Sequence, residues 1–428
     1  MKRKTRERRS RTRSSLRLGT VRDGILALAL FIASTSSTPA IARDLSADRF
    51  TLRGFGTLGA TTHDADHIEF RRTNGQAQGA KADDIDFGVD SLAGAQIDVK
   101  LGTRFDAVAQ LLTRQQNDGS WKPRLSQGFL RYSPDQSLSL RAGRIGYDIY
   151  LLAESRQVGY SYLPARPTPE FYGQITNDDI DGGDISYTRR LGPGVFRGRL
   201  FAGDSVGELA FENDVRTESK QQISGGTFDY AYRGWMWRVA AVSFSYEAGD
   251  DIRPLIGGLR ATQFPSALAI ATDLDQQRFR SQGVQLGMAY DDGPMLAQVL
   301  YGVVRSDSIA GPEYDKFYGL FGYRVRNWTP FVSHVRSEDV HPVRDAGLPP
   351  LAPFAPLNAA VVQIQDATRS TQYTTSIGVR YDFSSRIAFK VQLDRAHVEE
   401  SSLFLDYRAD ATAPYDMTVL AATVDFVF

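Results

Sequence analysis

Seven short connections alternate with eight longer ones along most of this 428-residue chain, and this alternation limits the folds that it can adopt. The short connections are rich in turn-forming residues and lie near Gly102, Pro134, Pro193, Gly234, Gly293, Asn327 and Ser384. The longer connections start near residues 60, 115, 147, 205, 248, 306, 338 and 399. Seven turns and eight loops join sixteen strands, and both ends of the series then lie on the short-turn side.

The segments between these connections show the alternating polarity of β-strands. In "DKFYGLFGYRVRN" (315–327) and "RIAFKVQLD" (386–394), apolar residues share one face while Lys and Arg residues lie on the other. Charges recur on the second face of strand after strand, which indicates a water-filled interior. A β-sandwich or several soluble all-β domains could show the same period, but neither fold requires short and long connections to alternate.

After residue 42, no stretch approaches the roughly 18 apolar residues that a transmembrane helix needs. Helices and closed barrels are the forms that satisfy every backbone hydrogen bond within lipid. We therefore expect an all-β protein: a transmembrane antiparallel β-barrel of about sixteen strands.

The segment "TVLAATVDFVF" (418–428) is apolar at every second position back from Phe428. This period predicts a strand with one apolar face. The segment resembles the terminal strand of bacterial outer-membrane barrels, and this resemblance implies that its apolar face lies against lipid and that the strand closes the barrel against the first one.

The first 42 residues have the composition of a signal peptide, with a basic region, the apolar run "ILALALFIAS" and a small-residue cleavage site ending at Ala42. A disordered basic arm followed by a buried helix is the alternative.

Cleavage would remove ten of the 50 basic and two of the 50 acidic residues, which leaves 40 basic residues, 48 acidic residues and a net charge of −8. This acidic balance argues against nucleic acid as a partner. The chain has no cysteine, so disulfides and thiolate sites are excluded.

The layout of residues 43–428 resembles that of the Gram-negative porin family, the sixteen-stranded general-diffusion barrels. The resemblance rests on "DSLAGAQIDVKLGTRFDAVAQLL", "WKPRLSQGFLRYSPDQSLSLRAGRIGYDIYLLAESRQVGY", "DDIDGGDISYTRR" and Phe428. It implies a porin in the outer membrane of a Gram-negative bacterium, surrounded by lipid, that passes small hydrophilic solutes and ions by diffusion. It also implies a homotrimer, no cofactor, and a membrane-insertion signal (Phe428, Phe426 and Val424) that the barrel-insertion machinery recognises. A substrate-selective channel for phosphate, sugars or organic acids is the alternative.

The connection at about 147–182 is long and rich in aromatic residues and proline, and loops of this length are usually functional or disordered. By resemblance it is a constriction loop that folds into the barrel, with acidic side chains at Asp148, Glu154 and Glu170. Strand parity nominates basic residues on the opposite pore wall: Arg53, Arg104, Arg131, Arg141, Arg197, Arg199 and Arg380. Arg144 joins them by resemblance, although its parity directs it outward. Facing rows of opposite charge would set a field across the pore.

Two features admit other functions. Asp179, Asp181 and Asp184 are weak candidates for calcium ligands, but they lack the spacing of an EF-hand. His63 and His67 lie near acidic residues and form a weak candidate metal site, while no nucleophile motif accompanies any histidine. We therefore expect no enzymatic activity. A TonB-type receptor would need a plug domain and an autotransporter would need a passenger. We expect neither role, because only a few residues separate Ala42 from the first predicted strand.

Overall fold

The computed structural model describes residues 49–175, 179–210, 216–247, 252–276, 278–408 and 414–428, without the side chains of residues 208–210 and 216–217. The predicted signal peptide, residues 1–42, lies outside the described residues.

Sixteen of the strands form one closed antiparallel barrel, as the connection pattern predicted. In chain order they are β1 (Phe50–His63), β4 (Leu92–Lys100), β5 (Phe105–Arg114), β6 (Arg124–Tyr132), β7 (Leu138–Gly146), β8 (Asp179–Leu191), β9 (Gly194–Ala210), β10 (Arg216–Tyr232), β11 (Trp235–Glu247), β12 (Arg278–Asp292), β13 (Met295–Ser306), β14 (Tyr314–Tyr323), β15 (Trp328–Asp339), β16 (Ser370–Ser384), β17 (Ile387–Ser401) and β19 (Tyr415–Val427).

All seven predicted turns fall between consecutive barrel strands. The turn after β10 consists of Arg233 and Gly234, both with positive φ, which matches the twist of a two-residue hairpin. The longer connections also occur where they were expected, with one correction. The connection predicted to start near residue 205 starts later, because β9 continues to Ala210.

The barrel closes between β1 and β19, as predicted from the alternating segment 418–428. Gly54 and Phe428 exchange two backbone hydrogen bonds of 2.9 Å. On the outer face, a Cβ atom on Gly54 or Gly56 would meet the ring of Phe428 or Phe426 at 2.1 and 2.4 Å. Glycine at these two positions therefore leaves room for the aromatic rings across the seam.

The two faces of the wall differ in polarity as the sequence predicted. Strand β17 shows the pattern clearly: Phe389 and Val391 are exposed on the outer surface, whereas Lys390 and Gln392 point inward and are buried. Because successive side chains of a strand point to opposite faces, one strand can present an apolar surface outside and polar groups inside.

The long connections contain further structure. Strands β2 (Ile68–Phe70), β3 (Ala80–Lys81) and β18 (Leu405–Asp406) form a separate three-stranded sheet. Helix α1 (Pro169–Tyr172) lies in the connection after β7, helices α2 (Arg253–Thr262) and α3 (Pro265–Leu274) in the one after β11, and α4 (Ala355–Asp366) in the one after β15. None of the helices among the described residues is long and apolar enough to cross a membrane.

Helices α2, α3 and α4 pack together, and we call them the helical cap. Ile256 and Leu259 of α2 and Ile270 of α3 share one buried cluster with Val361 of α4. Ala346 and Leu348, from the proline-rich stretch before α4, join the same cluster. This apolar stretch therefore packs against the helical cap of its own chain.

Candidate functional site: the inner segment and its charge cluster

Residues 147–175, which we call the inner segment, lie in the connection after β7. They fold into two 3₁₀ turns, Ala153–Ser155 and Gly159–Ser161, followed by α1 with Pro169 at its first position. The predicted loop extended to residue 182, but β8 already begins at Asp179. The segment is ordered by its own prolines and aromatic residues and by the contacts described next.

The aromatic and apolar side chains of the inner segment pack against inward-facing side chains of the barrel wall. The ring of Tyr147 lies 6.3 Å from that of Phe201 on β9. The ring of Phe171 lies 6.4 Å from that of Tyr318 on β14. Both pairs belong to the largest buried apolar cluster of the described chain. The inner segment therefore lies within the barrel rather than over its rim.

Three inward-facing cations hold backbone carbonyl groups of the inner segment. Lys316 Nζ donates to the carbonyl of Glu170 at 2.6 Å. Lys390 Nζ donates to the carbonyls of Gly159 and Pro164 at 2.7 and 2.9 Å.

The third cation is Arg380, one of the predicted pore-wall arginines. It donates to the carbonyls of Tyr160 and Tyr162 at 2.8 and 3.0 Å and pairs with Asp382 at 2.8 Å. Its inward direction agrees with the parity used to select it. Arg380, however, contacts the inner segment directly and helps to position it. It does not face the segment across an open pore.

Predicted acidic residue Asp148 is buried against Arg238 on β11. The two atoms Arg238 Nη1 and Asp148 Oδ1 are 2.6 Å apart, and Arg238 Nε lies 2.6 Å from Asp229 Oδ1 on β10. Arg238 was not among the arginines that the sequence predicted for the pore wall. Parity could have identified it, because its neighbours Trp237 and Val239 are apolar and a strand alternates between faces. In the structure both neighbours are exposed on the outer surface and Arg238 points inward.

Glu154, the second predicted acidic residue, lies between two predicted arginines. Its Oε1 atom is 2.7 Å from Arg199 Nη1 and 2.9 Å from Arg141 Nη2. Arg141 also binds Asp184 of β8 through Nε, at 3.0 Å from Oδ2. We call the seven residues Arg141, Asp148, Glu154, Asp184, Arg199, Asp229 and Arg238 the charge cluster.

The pKa values of the two loop carboxyls in the charge cluster shift in opposite directions. Burial raises the pKa of Asp148, and Arg238 only partly offsets this effect. Burial also raises the pKa of Glu154, but the neighbouring Arg199 and Arg141 outweigh it and the net pKa is lowered. Glu154 is the more accessible of the two, with 32% of its side chain exposed.

Glu170, the third predicted acidic residue, lies apart from the charge cluster. It is buried and accepts hydrogen bonds from Gln372 Nε2 at 3.0 Å and Thr374 Oγ1 at 2.5 Å, both on β16. Thr168 Oγ1 donates at 2.5 Å from within the segment. Glu170 therefore anchors the segment to the wall instead of facing solvent.

The remaining predicted arginines are more dispersed. Arg53 is exposed and lies 3.4 Å from Asp98. Arg131 lies over the ring of Phe129 at 5.6 Å. Arg197 is half-buried two residues before Arg199, whereas Arg104 lies in the turn after β4 and not on a strand.

Arg144 lies on the outer face, as its parity indicated. It binds Asp181 through Nε and Nη2 at 2.8 and 2.7 Å, and the β7–β8 register is continuous there. Asp184 points to the inner face, so the three aspartates suggested as calcium ligands do not converge. No group of three or more metal-ligand side chains occurs among the described residues, including the loop of His63 and His67.

The expected rows of opposite charge facing each other across a neck are therefore not the arrangement found. Asp148 and Glu154 touch arginines on the adjacent wall, within hydrogen-bonding distance. The sequence could place these charges on inward faces but could not specify which strand each loop carboxyl approaches.

Comparisons with known proteins agree with this fold. No family model matches the sequence, and no curated protein matches it significantly. Among solved structures, the chain is similar to an anion-selective porin from Comamonas acidovorans, with a TM-score of 0.51 and 12% identity over 89% of this chain and 99% of that one. It is also similar to the outer-membrane channel DcaP of Acinetobacter baumannii, with a TM-score of 0.50 and 11% identity over 90% of this chain and 99% of that one. The chain therefore has the barrel fold of the outer-membrane porins.

Proposed function

We propose that this protein is a porin in the outer membrane of a Gram-negative bacterium and forms a water-filled channel for the passive diffusion of small hydrophilic solutes and ions. The observation that carries the proposal is the closed barrel of sixteen strands with an apolar outer face and a polar inner face. Such a wall is stable in lipid because every strand is paired and the charges point away from the hydrocarbon.

The placement of partly accessible charges supports a path beside the inner segment. Arg131 and Arg197 are half-buried on β6 and β9, and Glu154 is partly exposed beside Arg141 and Arg199. On the far side, Lys316 and Lys390 are buried beneath the segment. Solutes would pass the first group, where charged side chains replace part of their hydration shell.

The proposal extends to assembly. The apolar outer face would contact lipid and the neighbouring subunits of a homotrimer, and residues 1–42 would direct export before cleavage. Phe428, Phe426 and Val424 would serve as the signal for the barrel-insertion machinery. We propose no enzymatic role and no cofactor.

A planar-bilayer recording tests the proposal. Residues 43–428 are refolded and inserted, and single-channel conductance and the reversal potential in a salt gradient are measured. Discrete open steps that arrive in threes are expected of a trimeric diffusion channel. A folded, heat-modifiable barrel without conductance would refute the porin function.

A substrate-selective channel is the second candidate. It is favoured by the extent to which the inner segment occupies the barrel, since a narrow path increases contact between solute and wall. Conductance that saturates, or is blocked by a low concentration of one sugar or organic anion, would make this description the better one.

A further inference from the structure

A cavity of about 320 Å³ lies between the helical cap, the inner segment and the wall formed by β10–β14. Ile252, Leu274 and Ile364 line it from the side of the helical cap. Tyr147 and Tyr150 line it from the inner segment. Its volume falls in the range of small-molecule sites, which are usually concave and mostly apolar with a few polar groups.

Aromatic side chains form much of the wall of this cavity. Phe244 and Tyr246 of β11 and Phe279 of β12 are half-buried and face it. The rings of Tyr246 and Phe279 are stacked with 4.9 Å between centroids. Aromatic faces of this kind bind flat rings by stacking and attract cations through their negative face.

The charges around the cavity have one sign. Among the described residues that line it there are three carboxylates and no Lys, Arg or His. Glu218 is 3.6 Å from Lys220 and Glu247 is 2.8 Å from Arg278, so each of these two carboxylates lies beside a cation that does not line the cavity. Asp273 differs, because its Oδ1 atom accepts from the neutral Ser308 hydroxyl at 2.6 Å and the Ile309 amide at 3.3 Å.

We propose that this cavity binds a small cationic solute that carries an aromatic ring, with the ring against Tyr246 and the ammonium group towards Asp273. The proposal rests on the channel function above and names the class of solute that the channel would favour. An aromatic anion would meet the carboxylate of Asp273, with no Lys, Arg or His among the described residues that line the cavity to attract it. A neutral ring would gain the stacking contact but not the charge contact.

Binding is tested by calorimetry on the refolded protein with benzylammonium, benzyl alcohol and benzoate, three probes of similar size and different charge. We expect benzylammonium to bind most tightly and benzoate least. Asp273→Asn keeps an acceptor for Ser308 and Ile309 but removes the charge, and it should weaken benzylammonium binding about threefold while leaving benzyl alcohol unchanged.

Matched controls separate the site from general effects. Asp275→Asn makes the same change two residues away, on a carboxylate that pairs with Arg260 at 2.6 Å outside the cavity. It should not alter binding. Tyr246→Leu should weaken both benzylammonium and benzyl alcohol about fivefold, since stacking is lost. Tyr301→Leu, on the outer surface, is its control.

The outcomes distinguish this proposal from the channel function. Equal or tighter binding of benzoate, equal effects of Asp273→Asn and Asp275→Asn, or no binding of any probe to a conducting channel would refute the cavity proposal alone. If Tyr246→Leu fails to give a heat-modifiable barrel, the isosteric Asp273→Asn comparison still decides. Loss of conductance without any added probe would bear on the channel function instead.

Discussion

Lys390 on β17 and Asp425 on β19 form an ion pair with 3.0 Å between Nζ and Oδ2, and neither side chain is accessible to solvent. Asp425 also accepts from Thr57 Oγ1 on β1 at 2.5 Å, across the seam of the barrel. Lys390 Nζ also donates to the carbonyls of Gly159 and Pro164 in the inner segment. One buried pair thus joins the seam of the barrel to the inner segment.

Lys390→Met should destabilise the protein strongly. The substitution leaves Asp425 as a buried charge without its partner, which typically costs about 3–5 kcal/mol in the free energy of unfolding. Urea unfolding followed by tryptophan fluorescence measures the change. Lys220→Met, at an exposed lysine, is the control and should change the free energy of unfolding by less than about 0.5 kcal/mol. The double variant Lys390→Met, Asp425→Asn should recover part of the stability that Lys390→Met loses. Equal stabilities of Lys390→Met and Lys220→Met would contradict the role of the pair.

Glu154→Gln should make the channel more selective for anions. The variant removes a partly exposed negative charge and leaves Arg141 and Arg199 less neutralised. The reversal potential in a KCl gradient near 0.1 M measures the shift, which should decrease at 1 M, where the Debye length is about 3 Å. Asp181→Asn, on the outer face, should leave the reversal potential unchanged. A shift of the same size in both variants would argue against a conducting path beside Glu154.

Acidification should reveal the lowered pKa of Glu154. Burial opposes the charged form, but Arg199 and Arg141 lower the net pKa below its ordinary value of 4.5. The ionised form of Glu154 is therefore favoured in the folded protein. The stability that this carboxylate contributes is fully present above pH 4.5 and is lost as the pH falls through its lower pKa in the folded protein. The difference in reversal potential between wild type and Glu154→Gln should persist down to pH 4.5 and disappear at lower pH. Disappearance between pH 7 and 5 would show that the arginines do not control this carboxyl.

Phe428→Ala should reduce the stability of the closed barrel. The ring of Phe428 lies over Gly54 on the neighbouring strand, and cross-strand aromatic contacts contribute up to about 1 kcal/mol. The fraction of heat-modifiable barrel after refolding at increasing urea concentration measures the effect. Phe383→Ala removes an exposed ring near the end of β16 and serves as the comparison. If both variants lose the same amount, the seam has no special dependence on Phe428.

The strands could be predicted because their determinants are local. Turn residues fixed the hairpins, and alternating polarity fixed which face of β17 points outward. Arg144 illustrates the strength of parity: the family resemblance suggested the pore wall, but an uninterrupted register with β8 keeps the side chain outside. Local pattern was the better guide at this position.

The position of the inner segment could not be predicted in the same way. Lys316 and Lys390 bind backbone carbonyl groups that are far from them in sequence, and a carbonyl group is present at every residue. No pattern of side chains therefore identifies the partner. The same limit applies to Glu170, whose partners Gln372 and Thr374 lie 202 and 204 residues later in the chain.

The seam between β1 and β19 has a consequence for the order of folding. Thr57 and Asp425, which meet there, are 368 residues apart in sequence. Contacts of such long range form late, because the chain between them must already be arranged. Until they form, β1 and β19 are unpaired edges, and unpaired edges are unfavourable in lipid and prone to aggregation. The nearly complete sheet must therefore be shielded until its first strand meets its last.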